Sequence, residues 1–279
     1  MVVSFPGLDI ELIVSRVAFT VFGIPIYFYG LIIAIGFLAG IFFASMVAKK
    51  LGEKSDLALD LALICSVPAI ICARLYYVIF RFDDYKDNIL SIFDIRSGGI
   101  AIYGAVIGAV VAAYVFCRIK NINTLKVFDI GSVGLITGQA IGRWGNFFNQ
   151  EAFGSNTNLP WGMTSDAVKE YLTALKLKGV NVSPDIPVHP TFLYESIWCI
   201  ITLVVLIFIV YKFYKFNGQV FYAYGALYGL GRLWIEGLRT DSLMIGSVRV
   251  SQAVALVSVV VFAALYITCI KKSKRSENI

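Results

Sequence analysis

The chain has 279 residues, of which 58% are hydrophobic and only 15% charged, with a mean hydropathy of +0.79. Soluble domains carry about a quarter charged residues, so a water-soluble globule of this size is excluded. The formal charge of +6 would suit a nucleic-acid binder. Its lysines and arginines instead gather in short connectors and the C-terminal tail, where they orient a membrane protein, so no nucleic-acid partner is expected.

Residues Met1 to Leu12 show no basic region ahead of an apolar stretch, so no cleavable signal peptide is expected. The mixed stretch Ile10 to Phe22 reads as an amphipathic helix lying along the interface. Apolar runs then recur at roughly 25–47, 57–79, 99–117, 126–142, 190–211, 219–238 and 248–270. Each can cross a ~30 Å hydrocarbon core as a helix, which satisfies its own backbone in lipid. The predicted fold is therefore an all-α integral membrane protein with seven transmembrane helices, a single transmembrane domain over residues 1–279. Basic residues are densest in the short connectors at Lys49–Lys54, Arg118–Lys126 and Lys212–Lys215 and in the tail from Lys271 to Arg275. That density predicts an N-terminus outside and a cytoplasmic C-terminus. Arg16, Arg81, Lys86, Arg96 and the other basic residues of the opposite set spread over longer connectors. The long connector, residues 143–189, then forms a small extracytoplasmic cap between spans four and five, with a helix predicted from Thr164 to Lys178.

Polar chemistry concentrates where the fourth span ends. Gly131, Gly134, Gly138 and Gly142 make one smooth helix face that admits close approach of a neighbour. It runs straight into Arg143, Asn146, Asn149, Gln150, Glu151 and Gly154. A polar helix end that snorkels into headgroups explains one arginine but not this whole set. In the sixth span, Gly225, Gly229, Arg232, Glu236 and Arg239 recur every three or four residues and share one stripe. Ionisable groups in a span are costly and mark function, against the plainer reading of a self-neutralising Arg232–Glu236 pair.

Two further features stand at span ends. The segment His189-Pro190-Thr191-Phe192-Leu193-Tyr194-Glu195 opens the fifth span and holds the only histidine. Glu195 there suits a helix dipole as readily as a site. Tyr29 and Tyr103, the latter following Ser97-Gly98-Gly99, stand near the outer ends of their spans, where belt tyrosines are commonplace. Arg74, inside the second span, reads as a packing or pairing residue. Several arginines with few carboxylates imply an anionic ligand, because the guanidinium fork matches phosphate.

The five cysteines, Cys65, Cys72, Cys117, Cys199 and Cys269, all lie in or beside apolar spans and read as small core residues. They form no zinc or disulfide pattern. No paired-acid magnesium motif, G-x-S-x-G or H-E-x-x-H is present, so neither a metal nor another cofactor is expected.

The stretch from Gly142 to Gly154 resembles the G-R-x-G-N-F-x-N-x-E-x-x-G signature of bacterial phosphatidylglycerol–prolipoprotein diacylglyceryl transferases at every fixed position. His189-Pro190 with Leu193-Tyr194-Glu195, Tyr29-Gly30, and Arg232 with Glu236 match in the same order, so the resemblance spans essentially the whole chain. It implies transfer of a diacylglyceryl group from phosphatidylglycerol to the lipobox cysteine of a precursor lipoprotein, with a thioether formed and glycerol phosphate released. It also implies a bacterial cytoplasmic membrane, with the site on the extracytoplasmic side. Carried over residue by residue, Arg143 binds the lipid headgroup, and Tyr29, Asn146, Glu151, Gly154, Arg232 and Glu236 are important positions. One departure stands out: some members have histidine, proposed as the base, where this chain has Tyr103, whose reference pKa of ~10 does not suit that role unaltered.

The expected catalytic set is Tyr29, Tyr103, Asn146, Glu151, His189, Arg232 and Glu236, with Arg143, Asn149, Gly154 and Arg239 binding phosphatidylglycerol. The arginines would hold the phosphate, and small residues along spans four and six would leave a lateral opening for lipid. Glu151, His189 and Tyr103 remain alternative proton acceptors. A transporter for anionic lipid is the rival reading, and it lacks the internal repeats such proteins show.

Overall fold

The structure is a computed structural model that describes residues 1–86, 88–94, 98–240, 244–246 and 248–277, with residues 245, 276 and 277 described by their backbone alone. Arg96 and Ser97, which entered the reading of the third connector, lie outside the described residues.

The chain opens with strands, not with the amphipathic helix expected over Ile10 to Phe22. Strand β1 (Val2–Phe5) pairs antiparallel with β2 (Ile10–Ile13), and β3 (Val17–Val21) with β4 (Ile24–Tyr27). The physical reason lies in the residues. Val2, Val3, Ile10, Ile13, Val17, Thr20, Val21 and Ile24 are β-branched, which favours pleated backbone. Phe22 and Gly23 then take φ of 48° and 81°, the left-handed pair that closes a two-residue hairpin.

Helices dominate the rest. They are α1 (Phe28–Lys50), α2 (Asp56–Phe80), α3 (Ile102–Lys120) and α4 (Thr124–Asn149). After β5 (Thr164–Ser165) come α5 (Asp166–Leu177), α6 (Thr191–Phe208, prolonged by a π turn to Phe213) and α7 (Gln219–Leu238). A hairpin of β6 (Met244–Ile245) and β7 (Val248–Arg249) leads into α8 (Val250–Glu277). The seven long helices coincide with the seven apolar stretches. Among the described residues, α1, α2, α3, α6 with its π turn, and α8 are long and apolar enough to cross a membrane. Their outward residues, such as Val67, Ile79, Val106 and Val257, are more than half exposed, as a lipid-facing surface requires.

Helix α4 is the hub of the bundle, packed chiefly on α1, α6 and α7. Its contact with α1 is backbone on backbone: a Cβ on Gly40 would lie 2.7 Å from the Gly134 carbonyl oxygen. On α7, a Cβ at Gly225 would strike the ring of Phe262 of α8 at 2.3 Å. These glycine faces are therefore filled by α1 and α8 and do not form the expected lateral opening. Small residues here exchange side-chain volume for close van der Waals contact, the usual glue between helices in lipid.

The spans and the cap have separate cores. Val127, Ile130, Val133, Ile136, Leu206 and Val220 are buried in the bundle. Val3, Val14, Phe147, Phe153, Met163, Val168, Leu172, Val188 and Phe192 form a second cluster beneath the cap. Strand β1 enters that cluster because β5 pairs on its other edge, in the order β2-β1-β5. Helix α5 starts where the Ser165 hydroxyl accepts the Val168 amide, a regular N-cap.

Two buried polar residues shape the connectors. Arg74 of α2 is 5% exposed. All five of its N–H groups donate, Nε to Ile92 O, Nη1 to Gly98 O and Gly99 O, and Nη2 to Ser91 O and Asp94 O, at 2.7–2.9 Å. It is thus the structural residue the sequence suggests. At the opposite end of the bundle from the cap, Asp129 of α4 is fully buried. Its carboxylate accepts the amides of Gly218 and Phe221 and the hydroxyl of Tyr214 at 2.7–2.8 Å, capping the start of α7 from a neighbouring helix.

Candidate active site

Helix α4 does not stop at Gly142. It continues to Asn149, so Arg143, Asn146 and Asn149 project from its last two turns at intervals of three residues. The helix then ends abruptly. Gln150 and Ala152 both take positive φ, 54° and 58°, with Glu151 between them. Left-handed backbone is costly for residues with a Cβ and persists where surrounding structure imposes it. Here the strained turn folds Glu151 back over the helix end. Its Oε1 accepts Asn146 Nδ2 at 3.0 Å and Asn149 Nδ2 at 3.2 Å. Tyr29, at the start of α1, packs its ring on Gly145 of α4, where a Cβ would come 2.7 Å from it.

A cluster of guanidiniums forms beside this turn. Glu195, the fifth residue of α6, is 4% exposed and receives Arg143 Nη2 at 2.7 Å, Arg232 Nη1 at 3.1 Å and Arg239 Nη1 at 3.4 Å. Arg232 also donates through Nη2 to Glu236, one turn away. The Arg232–Glu236 pair is real, but it is one edge of a larger network rather than self-neutralising. Arg143 has a partly open side chain, 21% exposed. Among the described residues its only acceptor is Glu195, which leaves donors of its five N–H groups for a ligand. The glycines of the α7 stripe face α8, whereas Arg232 and Glu236 face α6, so the stripe divides into a packing end and a charged end.

Gly154 is buried and lines neither cavity described below. Its amide donates to His189 O at 2.9 Å, it bridges to Arg239, and a Cβ there would meet His189 Cβ at 2.7 Å. Its place is to let three segments close together, which fixes Arg239. His189 stands just before α6, its Nδ1 3.2 Å from the hydroxyl of Tyr194, which accepts Trp161 Nε1 at 2.7 Å. Burial pushes the His189 imidazole below its ordinary pKa, favouring the neutral ring. Tyr103 stays apart. It begins α3, is 40% exposed, and neighbours Tyr76 at 6.4 Å between ring centroids.

Two adjoining cavities open at the strained turn. One, of about 690 Å³, is lined by Arg16, Pro25, Tyr27, Tyr29, Gly30, Asn149 and Glu151. The other, of about 430 Å³, lies on the cap side, between the turn and α5. Arg16 and Glu151 belong to both walls. The site thus gathers Tyr29, Arg143, Asn146, Asn149, Glu151, Arg232, Glu236 and Arg239, with His189 and Gly154 behind them. Sequence alone leaves Glu195 between helix dipole and site, and the structure makes it the hub. Arg16, whose Nη2 donates to Asn149 O at 2.9 Å, has no local sequence signal. Only the hairpin that follows it brings it to the turn.

Residues 16–268 match the family described as prolipoprotein diacylglyceryl transferase. The chain is 45% identical over 267 residues to the phosphatidylglycerol–prolipoprotein diacylglyceryl transferase of Clostridioides difficile (strain 630), covering 95% of this chain and 100% of that one. Its identity to the enzyme of that name from Finegoldia magna is 44% over 265 residues, covering 95% and 99%. With the Acaryochloris marina protein of that name it is 42% over 242 residues, covering 86% and 85%. With nearly its whole length matched and these identities well above 30%, the chain belongs to the prolipoprotein diacylglyceryl transferase family.

Proposed function

We propose that this protein transfers the diacylglyceryl group of phosphatidylglycerol to the lipobox cysteine of precursor lipoproteins, the first step of bacterial lipoprotein maturation. The observation that carries the reading is the convergence of Arg143, Arg232 and Arg239 on one buried carboxylate, with Arg143 on the same helix end whose Asn149 and Glu151 line a cavity. Such a site recognises a phosphodiester by bidentate, permanently charged donors. All seven long helices span the bacterial plasma membrane, the N-terminus outside and the C-terminus in the cytoplasm, and residues 143–189 with the N-terminal strands cap the outer face. The density of basic residues in the connectors supports that orientation.

In this mechanism the cysteine sulfur attacks the glycerol carbon that bears the phosphate ester. A carbon–sulfur bond forms, the carbon–oxygen bond breaks with its electron pair on oxygen, and glycerol phosphate leaves. Arg143 and Arg232 bind the phosphate and stabilise the charge that develops on the leaving oxygen, while Arg239 completes the cluster. The same positive field lowers the thiol from its free value of ~8.5, so a strong base is unnecessary. Glu151 receives the proton: it is exposed, lines both cavities and stands at the end of the helix that carries Arg143. Asn146 and Asn149 hold its carboxylate, and Tyr29 closes the lipid side of the turn.

The test mixes purified protein with phosphatidylglycerol and a lipobox peptide and reads the peptide mass. A diacylglyceryl adduct, lost when the peptide cysteine is serine, is the expected result. No adduct from folded protein that binds the lipid would overturn the reading in favour of lipid transport.

A further inference from the structure

The smaller cavity carries a mark that the larger one lacks. Among the described residues, two buried side-chain polar atoms have no hydrogen-bond partner, Gln150 Oε1 and Thr240 Oγ1. Both residues form the wall of this one cavity. Gln150 is 4% exposed, and its amide nitrogen is already committed to the Phe147 carbonyl. An unsatisfied acceptor in such surroundings is destabilising and is rare in native proteins unless a ligand or water completes it.

The rest of the wall says what kind of ligand fits. Ala167, Glu170, Tyr171 and Ala174 recur at helical spacing, so one stripe of α5 faces the turn. Two of the four are alanines. Tyr171 is fixed edge-on against buried Phe153, with ring centroids 5.2 Å apart. This is a narrow floor of methyl groups and one ring, bordered by the carboxylate of Glu170 and the guanidinium of Arg16. Gln150 Oε1 and Thr240 Oγ1 lie just beneath this wall, each with under 1 Å² of surface, so a side-chain rotation brings them to N–H donors, which extended polypeptide supplies at regular intervals. The cavity lies against α5 and the end of α4, not against a lipid-facing span, and so does not suit acyl chains. The larger cavity is lined by Tyr29 and Gly30 at the head of α1, a helix long and apolar enough to cross a membrane.

We infer that the cavity between α5 and the Gln150–Ala152 turn is the groove for the extended polypeptide that carries the acceptor thiol. The lipid, its phosphate held by Arg143 and Arg232, reaches into the neighbouring cavity, and the two substrates meet at Glu151, which both walls share. This rests on the transfer reading above. Gln150 and Thr240 are positioning residues that hold the peptide backbone.

The experiment compares wild type with Ala174→Trp and Thr240→Val, using a synthetic lipobox peptide and phosphatidylglycerol vesicles, and varies each substrate in turn. Tryptophan at 174 narrows the groove, so KM for the peptide rises about tenfold with KM for the lipid unchanged. Thr240→Val removes an unpartnered hydroxyl but keeps its shape. It raises the thermal midpoint and also raises KM for the peptide about threefold, a pairing that a purely structural threonine would not give. A peptide bearing benzoylphenylalanine next to its cysteine should crosslink within residues 167–174, and that readout needs no variant to fold. Crosslinks confined elsewhere, or a rise in lipid KM alone, would overturn the groove. Unchanged KM for both substrates in both variants would do the same. A wild type that crosslinks at α5 but forms no thioether would sink the transfer reading and leave the peptide groove standing.

Discussion

Asp129 and Glu195 are both buried carboxylates at helix ends, yet they do opposite work. Among the described residues Asp129 meets neutral donors, the amides of Gly218 and Phe221 and the Tyr214 hydroxyl, with the Val220 amide beside them. Its charge is dispersed into the start of α7, so that end of the bundle is closed. Glu195 meets three guanidiniums, each with more N–H groups than one carboxylate accepts. It gathers cations that a second anion can share. A buried carboxylate is therefore no sign of function by itself; the charge and the surplus valence of its partners decide.

The comparison breaks first at Arg143. Arg143→Lys keeps a positive charge but removes the planar fork, and kcat/KM for thioether formation should fall about a hundredfold or more. Near-normal turnover would show that charge alone suffices there. Glu195→Gln should lower activity about tenfold and also lower the thermal midpoint, because removing one partner from a buried ionic cluster costs about 3–5 kcal/mol. Asp129→Asn sharpens the contrast. It weakens a cap worth about 1–2 kcal/mol and lowers the thermal midpoint, while kcat per folded molecule stays at the wild-type value. A selective kcat loss in that variant would mean that the two ends are coupled.

Smaller effects follow at the margins of the site. Gly145→Ala pushes on the Tyr29 ring and should raise KM for phosphatidylglycerol severalfold, because that ring lines the lipid-side cavity. His189 gives the pH test. Burial lowers its pKa, so between that lowered value and the ordinary ~6.5 the unfolded chain binds more protons than the folded one, and stability rises with pH across that window. The thermal midpoint should therefore drop slightly on acidification through pH 6, and His189→Asn should flatten that slope.

Much of this architecture is legible in the chain because lipid enforces a simple code. Apolar stretches of sufficient length become helices: each of the seven read from the chain holds a long helix, and five of these, among the described residues, are long and apolar enough to cross a membrane. The signature from Gly142 to Gly154 is also legible, since polar residues there have no cheaper explanation. The hidden parts are those that depend on contacts distant in sequence. Nothing local reveals that Gln150 and Ala152 turn left-handed, that Arg16 reaches Asn149 across 133 positions, or that Glu195 serves three arginines. The interfacial helix expected before the first span fails for a local reason, the weight of β-branched residues around a Phe22-Gly23 turn. The glycine faces mislead because a smooth surface reads equally well as a doorway and as a packing seam, and only the positions of α1 and α8 separate the two.

The anchoring of Arg74 bears on how freely this chain can drift. Its guanidinium grips five main-chain oxygens, of residues 91, 92, 94, 98 and 99, and lies 5.1 Å over the ring of Tyr85. Every amino acid presents the same oxygen, so most substitutions at those positions leave the grip intact. Gly98 and Gly99 are the exceptions, since both take left-handed φ, 95° and 74°, and a Cβ on Gly99 would stand 2.3 Å from Arg74 Nη1. Relatives should accordingly show a variable connector bracketed by an arginine and a glycine pair that hardly change, shape inherited without the letters that spell it.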